Sequence, residues 1–451
     1  MPTLMVSVSG IRGLVGDGLD PKVITKYASA YADFCGKGTI VVGRDSRITG
    51  EMVKSCLIGT LLAKGNDVVD IGICPTPTVL YNVKKLNAVG GIQISASHNP
   101  NEWNALKLLN RDGEFMTPDE NKEMLELLDS ADQNFQHWDG VGKLTSYSEG
   151  LKNHIDDVMK LELVDLPAIK NRKFKVLVDC VNGAGAFFVP EWLESLGCEV
   201  VAINSERTGI FPKLPEPIPQ NLKDTVEAIK QNDVDLGIVV DPDVDRLVLL
   251  TEKGEPFIEE NTITHIAKFI LSKTPGNAVV NLSTTRAIDD VAEQYNSKVL
   301  RSPVGEANVV KLMKETDAVI GGEGSGGVIY PALHYGRDAL VGIVLTLQHL
   351  LEFGGKMSEL KESLPQYFIA KDKIQIEGND PDTIIEKLKE KYSDQKVNTD
   401  DGLRIDLADH WIHFRKSNTE PIIRCITEAK SESAALDYLK KYFNEVKELM
   451  D

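Results

Sequence analysis

Four short polar segments follow apolar runs and carry side chains suited to phosphate, a cation or a sugar. The first, Ser95-Ala96-Ser97-His98-Asn99-Pro100, comes directly after the strand-like run Val89 to Ile94. That places it past the carboxyl end of a strand, where open α/β sheets hold ligands. A hydroxyl beside a histidine offers an activated nucleophile or phosphoryl acceptor, and Lys107 follows further along the chain. Taken alone, the segment reads more readily as a turn, because Ser, Asn and Pro are common turn residues. No Gly lies two residues to either side of Ser97, which excludes a serine-hydrolase elbow. The second segment, Asp241-Pro242-Asp243-Val244-Asp245-Arg246, follows the apolar run Leu236 to Val240. In an extended segment alternate side chains share a face, so the three aspartates converge on one hard cation and leave positions open for phosphate oxygen. A solvated acidic turn is the weaker reading after such an apolar run. So few protein ligands favour Mg²⁺ over Ca²⁺, and Arg246 supplies a guanidinium for an anion beside the metal.

The third segment runs from Gly321 to Gly327 and satisfies G-x-G-x-x-G at Gly322, Gly324 and Gly327. A dinucleotide fingerprint opens a helix, whereas Val328-Ile329-Tyr330-Pro331 reads as a strand and a turn. A flexible loop carrying Glu323 and Ser325 suits sugar hydroxyls, and a plain surface turn stands beside that reading. The fourth segment gathers Arg415, Lys416, Ser417, Asn418, Thr419 and Arg424 around a tight loop. In an otherwise acidic chain these donors read as a cradle for a dianion in preference to a basic surface hairpin.

These segments need a scaffold, and one pattern recurs three times: a β-branched run, a polar turn, an amphipathic helix and a second apolar strand. The copies begin at Thr39, Phe174 and Ala278. Strand, crossover helix and strand is the βαβ unit. Three related α/β domains are therefore expected at 1–149, 150–253 and 254–367. From 368 to 451 the strands cluster with two helices, as in a small α+β domain with an antiparallel sheet. A length of 451 residues suits such a multidomain enzyme. A formal charge of −18 disfavours nucleic acid and anionic lipid as partners. The six cysteines form no Cys-x-x-Cys pair, so neither a disulfide framework nor a zinc site is expected. The start Met1-Pro2-Thr3-Leu4 lacks a basic region followed by an apolar stretch, and a cytoplasmic protein is the expectation.

Together the segments resemble the α-D-phosphohexomutase superfamily, the phosphoglucomutases, phosphomannomutases and phosphoglucosamine mutases, over essentially the whole chain. Ser9-Gly10-Ile11-Arg12-Gly13 matches an N-terminal family motif, and the four segments above match the phosphoserine, metal, sugar and phosphate loops in the family's order. The resemblance implies α/β domains with mixed sheets and a C-terminal α+β domain, arranged as a heart around a central cleft. It implies that Ser97 is carried as a phosphoserine and exchanges phosphate with a hexose phosphate through a hexose 1,6-bisphosphate. It places Mg²⁺ on Ser97, Asp241, Asp243 and Asp245, and Arg12 and Arg246 beside the transferred group. Lys107, with His98 nearby, becomes the candidate acid/base. Glu323 and Ser325 would meet sugar hydroxyls, while Arg415, Ser417, Asn418, Thr419 and Arg424 would hold the phosphate that is not reacting. The expected partner is a small-molecule hexose phosphate, and the chain a monomer or homodimer.

Departures from the pattern bear on the sugar. Pro242 and Val244 replace the usual glycines of the metal loop, and Gly327 stands where many relatives have His. Glu306 puts a carboxylate where it could pair with a sugar ammonium. The reading leans to phosphoglucosamine mutase, converting glucosamine 6-phosphate to glucosamine 1-phosphate. The alternative is a phosphomannomutase/phosphoglucomutase, and the remote one a non-catalytic phosphosugar-binding protein.

Overall fold

The structure is a computed structural model that describes residues 3–8, 10–130, 134–376, 378–416 and 422–450. The described strands form four sheets. In the first, the strands Thr39–Arg44, Asp67–Ile73 and Gly90–Ile94 lie parallel, with helices Gly50–Ala63 and Thr76–Lys85 as crossovers. The chain then reverses, so that Trp103–Leu109 runs antiparallel to Gly90–Ile94 and beside Gly10–Val15. The second sheet repeats the scheme: Glu199–Ile203, Lys175–Asp179 and Leu236–Val240 are parallel, and Leu247–Thr251 returns antiparallel. In the third, Lys298–Ser302, Asn277–Asn281 and Ile320–Glu323 are parallel and Gly327–Ile329 returns.

The serine, metal and sugar segments thus occupy one topological position. Each is the turn between a parallel strand and the antiparallel strand that directly follows it in the chain. Those parallel strands are buried along their whole length, as a strand covered on both faces must be. One apolar core runs through the second and third sheets, around the helices Ile258–Lys273 and Ala339–Phe353.

The last sheet is antiparallel, in the order Phe368–Gln375, Ile422–Ala429, His410–Lys416, Leu403–Asp406, Lys396–Asn398. Helices Pro381–Lys391 and Glu432–Met450 cover it. Arg415 and Arg424 are direct cross-strand partners in this sheet. Two like charges in that register repel each other, and Asp401, 2.8 Å from Arg415 Nε, offsets part of that repulsion. Ser417, Asn418 and Thr419 lie outside the described residues. Cys74, Cys180, Cys198 and Cys425 are buried free thiols, and no described helix is long and apolar enough to cross a membrane.

Candidate active site

The loops converge on a cleft of about 610 Å³ whose walls include Arg12, Ser97, His98, Lys107 and Arg246 on one side. Glu306, Glu323, Ser325, Arg415 and Arg424 line the other. Asp241, Asp243 and Asp245 are buried beside it. The described residues singled out from the sequence therefore reach one place, except Lys416, which pairs instead with Asp382 at 2.7 Å.

Ser97 sits at φ 47°, a left-handed backbone that a serine rarely adopts. Its hydroxyl donates to Asp241 Oδ2 at 2.9 Å and lies 3.4 Å from His98 Nδ1. The strained loop is held from behind by residues that sequence reasoning missed. Arg47 is 1% exposed and donates to the carbonyls of Ser97 and Asn99 at 2.7 Å, of Pro100 at 2.6 Å and of Trp103 at 3.0 Å. Its Nε donates to Asp45 at 3.0 Å, and the same carboxylate accepts from Ser95 at 2.7 Å. Ser95 in turn accepts the Ser97 N–H at 2.9 Å. The signal was available: Asp45-Ser46-Arg47 also follows the carboxyl end of an apolar strand.

The aspartates do not converge by alternation along an extended segment, as the sequence suggested. The segment is a tight turn, with Val244 at φ 56° and the backbone N–H groups of Asp245 and Arg246 both donating to Asp241 Oδ1 at 3.1 Å. Proline and valine do not stop the turn from forming, but a β-branched residue in that region is strained. One oxygen from each aspartate lies within 4.8 Å of the other two. Asp243 Oδ1 and Asp245 Oδ1 are buried without a hydrogen-bond partner among the described residues. A hard cation satisfies that unpaired carboxylate oxygen, so the residues fit one. Burial and the neighbouring Asp245 and Asp243 push the Asp241 carboxyl well above its ordinary pKa.

Lys107 Nζ donates to Asp243 at 2.5 Å and Asp245 at 3.2 Å. Burial works against its charge, but the two carboxylates outweigh burial and raise its pKa, so it is an ammonium. His98 goes the other way: burial, then Arg246 and Arg12, hold it far below the ordinary imidazole value, and it is neutral. Arg12 Nη1 donates to Asn99 at 2.6 Å, tying the first strand pair to the serine loop.

The glycine-rich segment is not a flexible loop. It is a buried hairpin turn, and Glu323 in it is fully engaged: Oε1 accepts from Asn281 and from Gly305 N at 3.0 Å, and Oε2 from Arg337 at 3.0 Å. Glu306 does not present a free carboxylate either. Its Oε2 lies 2.8 Å from Arg337 Nε, and burial raises its pKa to about 7. Arg337 follows the sugar segment in a loop, and its residue type and position gave no sign of its role. The other buried group of metal-binding side chains among the described residues, His154, His334 and Asp338, is joined through Asp338 Oδ2, at 2.8 Å and 3.0 Å from the two rings.

Four family profiles match the chain in order. They describe phosphoglucomutase/phosphomannomutase alpha/beta/alpha domains I, II and III and the C-terminal domain, over residues 4–135, 152–254, 259–368 and 374–445. The chain belongs to the phosphoglucomutase/phosphomannomutase family. A phosphoglucomutase/phosphomannomutase of Thermococcus kodakarensis is 37% identical to this family member over 96% of both chains. A phosphoglucosamine mutase of Methanococcus maripaludis is 31% identical over 97% of this chain and 98% of its own. The crystal structure of a phosphoglucomutase/phosphomannomutase family protein from Burkholderia thailandensis superposes with a TM-score of 0.86 at 26% identity, covering 99% of this chain and 98% of that one. Like the family, this mutase is an isomerase-type phosphotransferase acting on hexose phosphates.

Proposed function

We propose that this mutase converts glucosamine 6-phosphate to glucosamine 1-phosphate, with Ser97 as the phosphoryl carrier. The observation that carries the reading is the Ser97 hydroxyl, which lines the cleft from a strained loop and donates at 2.9 Å to Asp241, one of three buried aspartates. Starting from phosphoserine, the bond from phosphorus to Ser97 Oγ breaks as a bond to a sugar oxygen forms, and the sugar hydroxyl's proton ends on Oγ. Lys107, an ammonium held between Asp243 and Asp245, gives a proton to the departing Oγ and takes one from the attacking hydroxyl. Arg12 and Arg246 flank the group in transfer. Mg²⁺ held by Asp241, Asp243, Asp245 and the phosphoserine would offset the charge of the transferred group. Arg415 and Arg424, opposite each other in the last sheet, grip the other phosphate. Reorientation of the hexose 1,6-bisphosphate then presents that phosphate to Ser97.

The phosphoglucosamine mutase relative supports the amino sugar. The ion pair between Glu306 and Arg337 favours the second reading, a phosphomannomutase/phosphoglucomutase, because it leaves Glu306 less able to read an ammonium. Turnover of glucosamine 1-phosphate, glucose 1-phosphate and mannose 1-phosphate, with Mg²⁺, a trace of bisphosphate and a Ser97→Ala blank, separates the two. A preference for the amino sugar above about tenfold in kcat/KM supports the first reading. A preference for glucose or mannose phosphate replaces it with the second, and turnover by Ser97→Ala overturns the role of Ser97.

A further inference from the structure

The sugar hairpin resumes its strand at Gly327, whose backbone is not among the left-handed glycines, so an alanine there meets no conformational obstacle. The obstacle is space. A Cβ at Gly327 would stand 2.3 Å from Arg337 Cδ and 2.9 Å from Cγ. The aliphatic stem of Arg337 runs through the gap that glycine leaves. It cannot simply swing aside, because both ends are fixed.

At the far end the guanidinium meets carboxylates from three separate places. Nη2 donates to Asp245 of the metal loop at 2.8 Å, Nη1 donates to Glu323 of the sugar hairpin at 3.0 Å, and Nε lies 2.8 Å from Glu306 at the start of helix Glu306–Glu315. At the near end the Arg337 N–H donates to the other Glu306 oxygen at 3.1 Å. The next residue, Asp338, caps helix Ala339–Phe353 through Leu340 N at 2.8 Å, and its other oxygen bonds the rings of His154 and His334. The histidine–aspartate cluster therefore anchors the arginine from behind. Asp245, Glu306 and Glu323 are 1%, 8% and 5% exposed, and without this cation they would repel one another across the sugar side of the cleft. A planar fork with several donors in fixed directions can hold three carboxylates in register; a lysine ammonium cannot.

We propose that Arg337 is a positioning residue of the sugar subsite: passing through the space kept open by Gly327, it fixes Glu306 and Glu323 relative to Asp245 and so sets how the hexose ring is held. The proposal rests on the reading of this cleft as a hexose phosphate site. The variants are Gly327→Ala, Arg337→Ala, the double variant and Arg337→Lys, each also made in a Ser97→Ala background. The measurements are kcat and KM for the sugar phosphates, glucose 1,6-bisphosphate binding by calorimetry in the Ser97→Ala background, and thermal melting. Gly327→Ala and Arg337→Ala are each expected to lower kcat/KM at least about tenfold, chiefly through KM, and to weaken bisphosphate binding in parallel. The double variant should be no worse than Arg337→Ala, because the alanine methyl then has nothing to displace. Arg337→Lys should restore less than half of the lost binding. Wild-type kinetics and binding in Gly327→Ala, or independent, multiplicative losses in the double variant, overturn the proposal. If a single variant fails to melt cooperatively, the comparison of Arg337→Lys with wild type decides, and full activity there also overturns it. Should the wild type bind the bisphosphate with this pattern of losses yet turn over none of the sugars, the functional reading falls and the role of Arg337 stands.

Discussion

Replacing Arg47 by Lys keeps the positive charge beside Asp45 but removes the fork that clamps the serine loop. Arg47 makes hydrogen bonds to four carbonyls and one carboxylate, all within 3.0 Å. A lysine ammonium has three donors on a single atom, so at least about two of the five bonds are lost, at about 1 kcal/mol each. That loss of about 2 kcal/mol is comparable to the roughly 1–3 kcal/mol stored in the left-handed backbone of Ser97 at φ 47°, so the clamped conformation loses its support. The loop relaxes, and a bias of about 2 kcal/mol against the competent conformation lowers its population about thirtyfold. The rate at which Ser97 takes up label from radiolabelled glucose 1,6-bisphosphate should fall by that factor, with the phosphate cradle of the last sheet unaffected. Far-ultraviolet circular dichroism controls for global unfolding. Labelling within about threefold of wild type, in a folded Arg47→Lys protein, would refute the argument that the clamp holds the loop in its reactive shape.

Mg²⁺ should raise the thermal midpoint of the wild type, by the equivalent of about 2.7 kcal/mol at a hundredfold excess over its Kd. An Asp243→Asn/Asp245→Asn protein, which loses two of the three carboxylate charges around the cation position, should show no such rise by differential scanning fluorimetry. Acid should destabilise the fold through His265 and His349, which face each other at 3.0 Å between helices Ile258–Lys273 and Ala339–Phe353. Burial, the largest cause, lowers the His349 pKa from 6.5 to about 4 and that of His265 well below its ordinary value. The unfolded imidazoles bind protons below about pH 6.5 while the folded ones do not, so stability is full above that pH and falls as pH drops towards about 4. For His349 this amounts to on the order of 3 kcal/mol. Urea midpoints followed across this range should flatten in His349→Gln, and an unchanged slope would contradict the assignment.

Much of the candidate site was legible in the sequence because it is written as local runs: an apolar strand leading into Ser97, another into Asp241, another into Glu323. The βαβ repeat followed from hydrophobic patterning, which a buried parallel strand cannot avoid. Less legible was the antiparallel return strand that turns each of those segments into a hairpin, because its apolar residues continue the same buried text. Nor could alternation predict how the aspartates meet; a turn through left-handed Val244 gathers them instead. The placement of Arg47 after an apolar strand was a legible signal, but the partners of Arg47 and Arg337 are supplied by the tertiary structure. Each side chain acts on partners far away in the chain, Arg47 on the loop around Ser97 and Arg337 on Asp245, Glu306 and Glu323. Glu306, read from the sequence as a free anion for an amino sugar, is paired with one of those arginines. Residue type determines what a group can bind, but in a buried cleft its nearest opposite charge decides what it does bind, and only the folded chain supplies that neighbour.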